Sequence, residues 1–212
     1  MTATVDAVRL GVNGGCARNR VGGGLTDGRV VLTSAALVAG AGTVQVTNAQ
    51  GKQVSGRVIA LDADTNVAWI YAPGLPSVRI GPAQPSDRVV PAYLFTFTAD
   101  GTPVTYRAQT LERTTTTTQD VFGTHSVRRD IYRLHLDTAA SAPVSGAPVL
   151  DSSGNLLGIA SATTSDDGRS VDVVAGDAVA RSAATRSLST QDPATMATSA
   201  GSRCAVAVST SS

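Results

Sequence analysis

Lysine and aromatic residues are scarce in this sequence of 212 residues. Lys52 is the single lysine among 17 basic residues, and there are only three Phe, one Trp and four Tyr. Because 16 acidic residues balance the basic ones, the net charge is +1 and no strong field attracts nucleic acid. So few aromatic side chains also leave no platform for base stacking. The composition therefore argues against a nucleic-acid-binding protein.

Long apolar runs are missing as well. No stretch approaches the roughly 18 consecutive apolar residues that a membrane span requires. Residues 1–6 contain neither a basic nor an apolar region, so no secretory signal is visible. Either the protein stays inside the cell or this sequence is a segment of a longer chain. A hydrophobic content of 42% is enough for a core, and the length favours one domain or two small halves.

Cysteine occurs twice, at Cys16 and Cys204. Neither has another Cys or a His at metal-ligand spacing, and no motif in the chain implies a cofactor. Taken by themselves, the two residues are compatible with buried free thiols or with a disulfide that closes nearly the whole chain.

Short segments rich in Val, Ile, Thr, Leu and Tyr are abundant, and glycine-containing turns separate many of them. Nine segments are predicted as strands: residues 29–33, 43–47, 53–61, 66–71, 88–98, 104–111, 130–137, 156–162 and 170–174. The threonine run at residues 114–118 is predicted as an edge strand or an extended loop. Many short strands in this pattern are typical of a barrel or a sandwich.

The remaining segments suggest how the strands are grouped. Four prolines in residues 73–87 interrupt any strand ladder and could join two halves. Asp177 is predicted to N-cap a short helix over residues 178–184. The tail from residue 187 to 212 is rich in Ser, Thr and Ala and is expected to be poorly ordered, apart from what Cys204 fixes.

Three segments carry a resemblance to a known family. They are GGGL with VVLTSAALV at residues 22–25 and 30–38, LDADTNVAWI at residues 61–70, and SGAPVLD with GNLLGI at residues 145–151 and 154–159. In this order and spacing they resemble the trypsin-like serine proteases of the chymotrypsin fold, in particular the bacterial HtrA-like and periplasmic MarP-like enzymes. The resemblance extends over about residues 11–180.

The resemblance implies an all-β fold, a chymotrypsin-like double β-barrel with a short C-terminal helix. The protease-like domain would comprise residues 1–186, with the first barrel at about 11–80 and the second at about 87–180. Residues 187–212 would form the tail, which Cys204 would tie down. In this family the active site lies in the cleft between the barrels.

The resemblance also identifies the positions where catalysis would take place. The family's reaction needs a serine hydroxyl, an imidazole to accept its proton, a carboxylate to orient the imidazole, and backbone donors for the oxyanion. Ala36 stands at the position of the histidine, Asn66 at that of the aspartate, and Ser145 at that of the nucleophile. Pro143 takes the place of the glycine whose N–H forms half of the oxyanion hole together with Ser145, and proline has no N–H.

No other residue in the sequence replaces the missing base. His125 and His135 are the only histidines, and both fall in the predicted second barrel, whereas the family's histidine comes from the first. Strand alternation places His135 on a surface side, and His125 is predicted to lie in a loop. Lys52 is predicted to lie in a turn. The sequence therefore predicts no catalytic residue, because the hydroxyl of Ser145 has nothing to activate it.

The leading interpretation is a catalytically inactive protease-like domain that belongs to a larger envelope or membrane-associated protein or assembly. Either it binds a protein or peptide partner in its cleft, or it serves as a structural module, and the sequence leaves both open. The alternative is a weak serine hydrolase, or one completed by a partner chain, that uses Ser145. No cofactor is expected in any of these interpretations.

The resemblance also bears on the cysteines. MarP-like domains carry a disulfide that joins the start of the domain to its end, and Cys16 and Cys204 occupy comparable places. A disulfide would imply an extracytoplasmic location on the periplasmic or cell-envelope side. Met1 would then precede a domain excised from a longer chain.

Overall fold

The computed structural model describes residues 7–13, 20–41, 43–75, 81, 88–186, 188, 191–197 and 204–205. The first barrel consists of six antiparallel strands: β1 (Ala7–Val12), β2 (Arg20–Asp27), β3 (Val30–Ser34), β4 (Thr43–Asn48), β5 (Gln53–Asp62) and β6 (Val67–Tyr71). It closes in the order β1-β2-β3-β6-β5-β4. A short helix, α1 (Ala35–Val38), directly follows β3.

A second six-stranded barrel follows in the chain. Its strands are β7 (Pro91–Phe97), β8 (Pro103–Gln119), β9 (Ser126–Leu136), β10 (Pro148–Asp151), β11 (Leu156–Thr163) and β12 (Ser170–Ala175). It closes in the order β10-β11-β12-β9-β8-β7, and α2 (Gly176–Thr185) follows β12. The predicted fold, an all-β double barrel of the chymotrypsin type with a short C-terminal helix, is confirmed.

The strand predictions succeed where apolar residues alternate with polar ones. In β4, for example, Val44 and Val46 are buried and the residue between them is exposed. All nine predicted segments contain strands, but β1, β2 and β10 were not predicted. The first barrel consequently begins at Ala7 rather than near residue 11. The threonine run at residues 114–118 lies within β8 and extends beyond the pairing with β7. It pairs with β9 on one side, as predicted for an edge strand.

Helix α2 begins earlier than predicted, at Gly176. Its N-cap is Ala175, which makes no side-chain capping bond, so the prediction that Asp177 is the N-cap is wrong. Asp177 instead lies in the first turn, where its Oδ2 accepts hydrogen bonds from Arg113 Nη2 at 2.6 Å and Arg181 Nη1 at 2.8 Å. A carboxylate is favoured in the first turn because the helix dipole is positive there.

The two barrels share apolar packing. The cluster that contains the core of the second barrel also includes Leu25, Ile59 and Trp69 from the first. The hairpin of β8 and β9 adds a second junction, because its tip residue Val121 donates its N–H to Ala63 O at 3.1 Å. The first barrel therefore buries one outer surface only when the second barrel is in place.

The chain returns to the first barrel after α2. Residues 191–197, which we call the C-terminal strap, lie beside Arg29 and Arg57 of this barrel. Arg29 Nη2 is 2.8 Å from Asp192 Oδ1, and Arg57 donates to the carbonyl oxygens of Ala194, at 3.1 Å, and Met196. This part of the tail therefore has defined contacts, contrary to the expectation of poor order.

Two sequence predictions concern termini and membranes. Cys204 is exposed and is not a free thiol, whereas Cys16 lies outside the described residues. The pairing of the two cysteines therefore stays a prediction. In the described ranges, no helix has the length and apolar character of a membrane span.

Candidate functional site

The turn between β5 and β6 brings Asn66 to the cleft side of the first barrel. Asp62 Oδ1 accepts the backbone N–H groups of Asp64 and Thr65, both at 3.1 Å, and so fixes the start of this turn. Asn66 ends the turn with φ of 60°, a left-handed conformation that asparagine tolerates better than most residues.

Asn66 joins the start of α1 through three hydrogen bonds. Its side-chain Oδ1 accepts the N–H of Ala36 at 2.9 Å and the hydroxyl of Ser34 at 3.0 Å. Its backbone oxygen accepts the N–H of Ala35 at 3.2 Å. Since Ser34 makes no capping bond itself, Asn66 satisfies N–H groups at the helix start that would otherwise have no partner. The structure thus brings Asn66 and Ala36 into direct contact.

The backbone of Ala36 is engaged on its other side as well. Arg20, at the start of β2, donates from Nη1 to Ala36 O at 2.7 Å. Such a bond satisfies a carbonyl near the end of a very short helix. Sequence reasoning missed Arg20, because no local pattern links the start of β2 to α1.

The Ser145 loop precedes β10 in the second barrel. Gly146 has φ of 77°, and its N–H donates to Ala160 O at 2.8 Å. Ser145 O accepts the N–H of Gly23 at 2.9 Å. Ser145 is half-buried, and its hydroxyl makes no hydrogen bond with any residue that the structure describes. The loop is therefore held by its backbone, and the serine side chain takes no part.

Two side chains from neighbouring strands fix the segment before Ser145. The phenol oxygen of Tyr106 accepts the N–H groups of Ser141 at 3.0 Å and Ala142 at 3.1 Å. Thr96 donates its hydroxyl to the carbonyl of Pro143. Tyr106 and Thr96 come from β8 and β7, so their role depends on long-range pairing that the sequence does not reveal.

Glycines in β2 allow the two barrels to touch at this loop. A Cβ added to Gly22 would lie 2.5 Å from both Leu37 Cδ2 and Ser145 O. One added to Gly23 would lie 2.8 Å from Ala147 Cα. Real Cβ atoms do not approach other atoms so closely, so these positions require glycine. The contact places the Ser145 loop beside α1, which carries Ala36.

The two histidines lie elsewhere. His125 precedes β9, with Nε2 at 3.1 Å from Asp64 Oδ1 and Nδ1 at 3.1 Å from Thr124 Oγ1. His135 is exposed on β9, where its neighbours across the sheet are Gln109 and Ser170. As predicted, His125 lies in a loop and His135 on the surface.

His125 also belongs to a small group of ionisable side chains. One of its ring nitrogens and one carboxylate oxygen from each of Asp64 and Asp120 lie within 4.8 Å of one another. Burial raises the pKa of Asp120, but hydrogen bonds from Thr124 outweigh this and leave the pKa below its usual value. Arg129 donates to Asp64 O at 2.8 Å and brings a positive charge to the group. These contacts account for the cluster as part of the junction between the barrels, and we assign no metal to it.

Comparison with known proteins agrees with this architecture. The Rv3671c protease of M. tuberculosis, in its active form, matches 95% of this chain and 86% of its own, with a TM-score of 0.82 and 23% identity. The MamO protease domain from Magnetospirillum magneticum matches 91% of this chain and 100% of its own, with a TM-score of 0.65 and 18% identity. The HtrA-type protease AlgW with a tripeptide matches 87% of this chain and 62% of its own, with a TM-score of 0.69 and 16% identity.

At these identities the structural matches establish the fold alone. No curated relative matches the chain. The family model described as a trypsin-like peptidase domain matches residues 20–159, more than half of the sequence and nearly all of the segment from β2 to β11, which contains Ala36, Asn66 and Ser145. The chain therefore belongs to the family of trypsin-like peptidase domains.

Proposed function

We propose that this chain is a trypsin-like domain without peptidase activity, which holds a protein or peptide partner in the cleft between its barrels. The observation that carries the proposal is the hydrogen bond from the N–H of Ala36 to Asn66 Oδ1 at 2.9 Å. At the positions where the family has a carboxylate orienting an imidazole, an amide is bonded to the backbone of an alanine. Neither side chain can accept a proton from Ser145 at neutral pH.

Each candidate substitute for the base is engaged away from Ser145. His125 contacts Asp64 and Thr124, His135 lies on the outside of β9, and Lys52 Nζ donates to Gly74 O at 2.5 Å. In the subtilisin series, removal of the base alone lowers turnover by about 10⁶. A loss of that size leaves no useful peptidase.

The oxyanion site supports the same conclusion. Pro143 cannot donate a hydrogen bond, so of the two backbone donors that the family uses only the N–H of Ser145 remains. Loss of one oxyanion donor typically costs about 10² to 10³ in turnover. The preceding N–H groups, of Ser141 and Ala142, are bonded to Tyr106 and are not free to replace it.

One edge of β11 supports a holding role. Strand β10 pairs with β11 only through Leu156–Ile159, and Ala160 is bonded to the Ser145 loop. Beyond this point Ala162 and Thr163 pair with β12 alone, as far as the structure describes the chain. An open strand edge can accept an extended peptide, whose backbone then supplies the hydrogen bonds of a further strand.

We propose that the protein is extracytoplasmic. This proposal depends on a disulfide between Cys16 and Cys204. Cys204 is not a free thiol, and Cys16 is the only other cysteine in the sequence. Disulfides persist mainly in oxidising compartments. The mass of the intact chain under non-reducing conditions tests this proposal, because a disulfide removes two hydrogens from the sum of two thiols.

Absence of activity is tested with a fluorophosphonate probe, which labels activated serines. We expect no labelling of the native protein beyond that of its Ser145→Ala variant. Labelling that Ser145→Ala abolishes would contradict the proposal and establish the alternative, a serine hydrolase, including one whose base comes from a co-purified partner.

Partner binding is tested by co-purification from the native source, using the full-length protein. We expect Ala162→Arg, in the open edge of β11, to reduce recovery of the partner strongly, because the long charged side chain would crowd the neighbouring side chains of an added strand on the same face. The matched control is Thr117→Arg, on the exposed side of β8. Loss of the partner only with Thr117→Arg would indicate instead a structural role through the barrel exterior.

A further inference from the structure

A second site for a ligand lies on the side of the first barrel that faces α2. A cavity of about 540 Å³ opens there between β3, β6, α2 and the C-terminal strap. None of Ala36, Asn66 and Ser145 lines it. The site is therefore independent of the cleft and of the function proposed for it.

The inner wall of this cavity is apolar. It includes Leu32, Ile59 and Trp69 from the first barrel and Val179 and Ala183 from α2. Trp69 is only 4% exposed and is the single tryptophan of the chain. An apolar wall offers water few hydrogen-bond partners, so the apolar body of a ligand can displace that water at little cost.

The mouth of the cavity is polar and its charges are balanced. Asp27 and Arg29, on the exposed turn between β2 and β3, lie at its edge. Arg29 is paired with Asp192 of the strap, and Arg57 donates to strap carbonyl groups nearby. Asp27, the Arg29–Asp192 pair and Arg57 thus place charges of both signs at or beside the mouth, so neither an anionic nor a cationic ligand gains from a field of one sign.

The size and closure of the cavity limit what can enter. Leu188 and Pro193, from the chain that follows α2, close one side of it. An α-helix with its side chains is about 10–12 Å wide, so a helix of a few turns would occupy more than the volume of this cavity. Cavities of roughly 300 to 1,000 Å³ are typical of sites for small molecules.

We propose that this cavity binds a small amphiphile with an apolar body, such as an aliphatic chain, and an uncharged polar end group. The body packs against Trp69 and the apolar face of α2, and the end group lies at the mouth beside Asp27 and Arg29. No covalent step is involved.

The lone tryptophan gives a direct readout. We expect titration of the full chain with 1-decanol to change the fluorescence of Trp69 saturably, and we expect decanoate and decylamine to bind about threefold or more weakly, because a charged end group gains no counter-charge and loses hydration. Equal binding of all three compounds would overturn the assignment of the end group. A fluorescence change that does not saturate would overturn the site.

Two variants of adjacent helix residues separate this site from nonspecific binding. Ala183→Phe fills the cavity, and we expect it to weaken 1-decanol binding by about tenfold or more. Ala184→Phe is the matched control, because Ala184 is exposed and does not line the cavity. We expect its affinity to equal that of the native chain.

A further variant keeps the experiment decisive if Ala183→Phe is destabilised. If Ala183→Phe lowers the thermal midpoint of unfolding, Ala180→Phe, at an exposed lining position, takes its place. Unchanged affinity in the folded lining variant, or equal loss in Ala184→Phe, would overturn the proposal.

Discussion

The Asn66 turn and the Ser145 loop approach each other from the two barrels, but they are held in different ways. Asn66 bonds within its own barrel, to Ser34 and to the start of α1. The Ser145 loop is also held from outside, by the N–H of Gly23 in the first barrel. None of these bonds requires an imidazole or an ionised carboxylate. The comparison shows that hydrogen bonds of the backbone and of uncharged side chains are enough to hold both segments in place.

The largest expected effect comes from placing the family's catalytic residues at three positions of the cleft. We expect the combined variant Ala36→His, Asn66→Asp, Pro143→Gly to react with a fluorophosphonate about a thousandfold faster or more than the native chain, since loss of the base or of an oxyanion donor slows this mechanism by factors of that size or more. The measurement is the rate of covalent labelling at Ser145.

The control for this gain is Asn66→Asp alone. It keeps a side chain that accepts the N–H of Ala36 and tolerates the left-handed backbone, but it supplies no imidazole. It should label no faster than the native chain. If the combined variant folds and also stays inert, Ala36, Asn66 and Pro143 do not correspond to the family's catalytic positions.

Variants at two glycines, both with positive φ, test how closely the barrels approach each other. An added Cβ at Gly146 would overlap Thr33 Oγ1 and the carbonyl of Gly23, whereas one at Gly154 would meet nothing within 4 Å. We expect Gly146→Ala to lower the free energy of unfolding by about 3–5 kcal/mol and Gly154→Ala by only about 1 kcal/mol. Urea unfolding measures both, and equal losses would contradict a close approach at Gly146.

The Asn66 turn should be sensitive to pH through Asp62. Burial raises the pKa of this carboxyl, but hydrogen bonds from Ser182 and Thr65 and the charge of Arg186 outweigh it and leave the pKa below its usual value. Because the pKa is lower in the folded state, the ionised group stabilises the fold above about pH 4, the usual unfolded pKa. That contribution is lost as the pH falls through the lowered value.

We therefore expect Asp62→Asn to lower the free energy of unfolding by about 1–2 kcal/mol at pH 7. The difference from the native chain should shrink as the pH is lowered below about 4. Asp64→Asn is the control, since the Asp64 side chain is 59% exposed and should matter less. A difference that is constant with pH would show that Asp62 acts through shape rather than charge.

The smallest expected effect concerns the hairpin tip on the first barrel. Val121 is 8% exposed and packs in the cluster of that barrel, whereas Val89 is 58% exposed. Val121→Ala should lower the free energy of unfolding by about 1 kcal/mol, and Val89→Ala should change it by no more than about 0.5 kcal/mol. Chemical denaturation of both variants measures the difference, and equal effects would mean that the tip adds nothing to the junction.

Strands with alternating apolar residues could be predicted from the sequence, but β2 could not. Gly22 and Gly23 have low strand propensity and suggest a turn, yet the Ser145 loop leaves no room for side chains at these positions. Strand propensity describes a residue and its local neighbours, so it fails where a distant part of the chain excludes a side chain.

The candidate site shows the same limit. Spacing along the chain was enough to nominate Ala36, Asn66 and Ser145, because a resemblance preserves order. It could not supply Thr96 and Tyr106, which reach the segment before Ser145 only after the second barrel closes. Nor could it identify Asp177 as a partner of Arg113, 64 residues away, rather than as a helix cap.

The order in which a ribosome releases the chain gives the arrangement around Trp69 a further consequence. All six strands of the first barrel emerge by Tyr71, so this barrel can close early during translation. Its surface at Trp69 faces α2, and Arg29 and Arg57, which lie over the Tyr71 ring, hold the strap. Both α2 and the strap are synthesised more than one hundred residues later. The nascent chain therefore exposes an apolar surface of the first barrel until α2 and the strap have been synthesised, and these later segments complete a barrel that can fold before them.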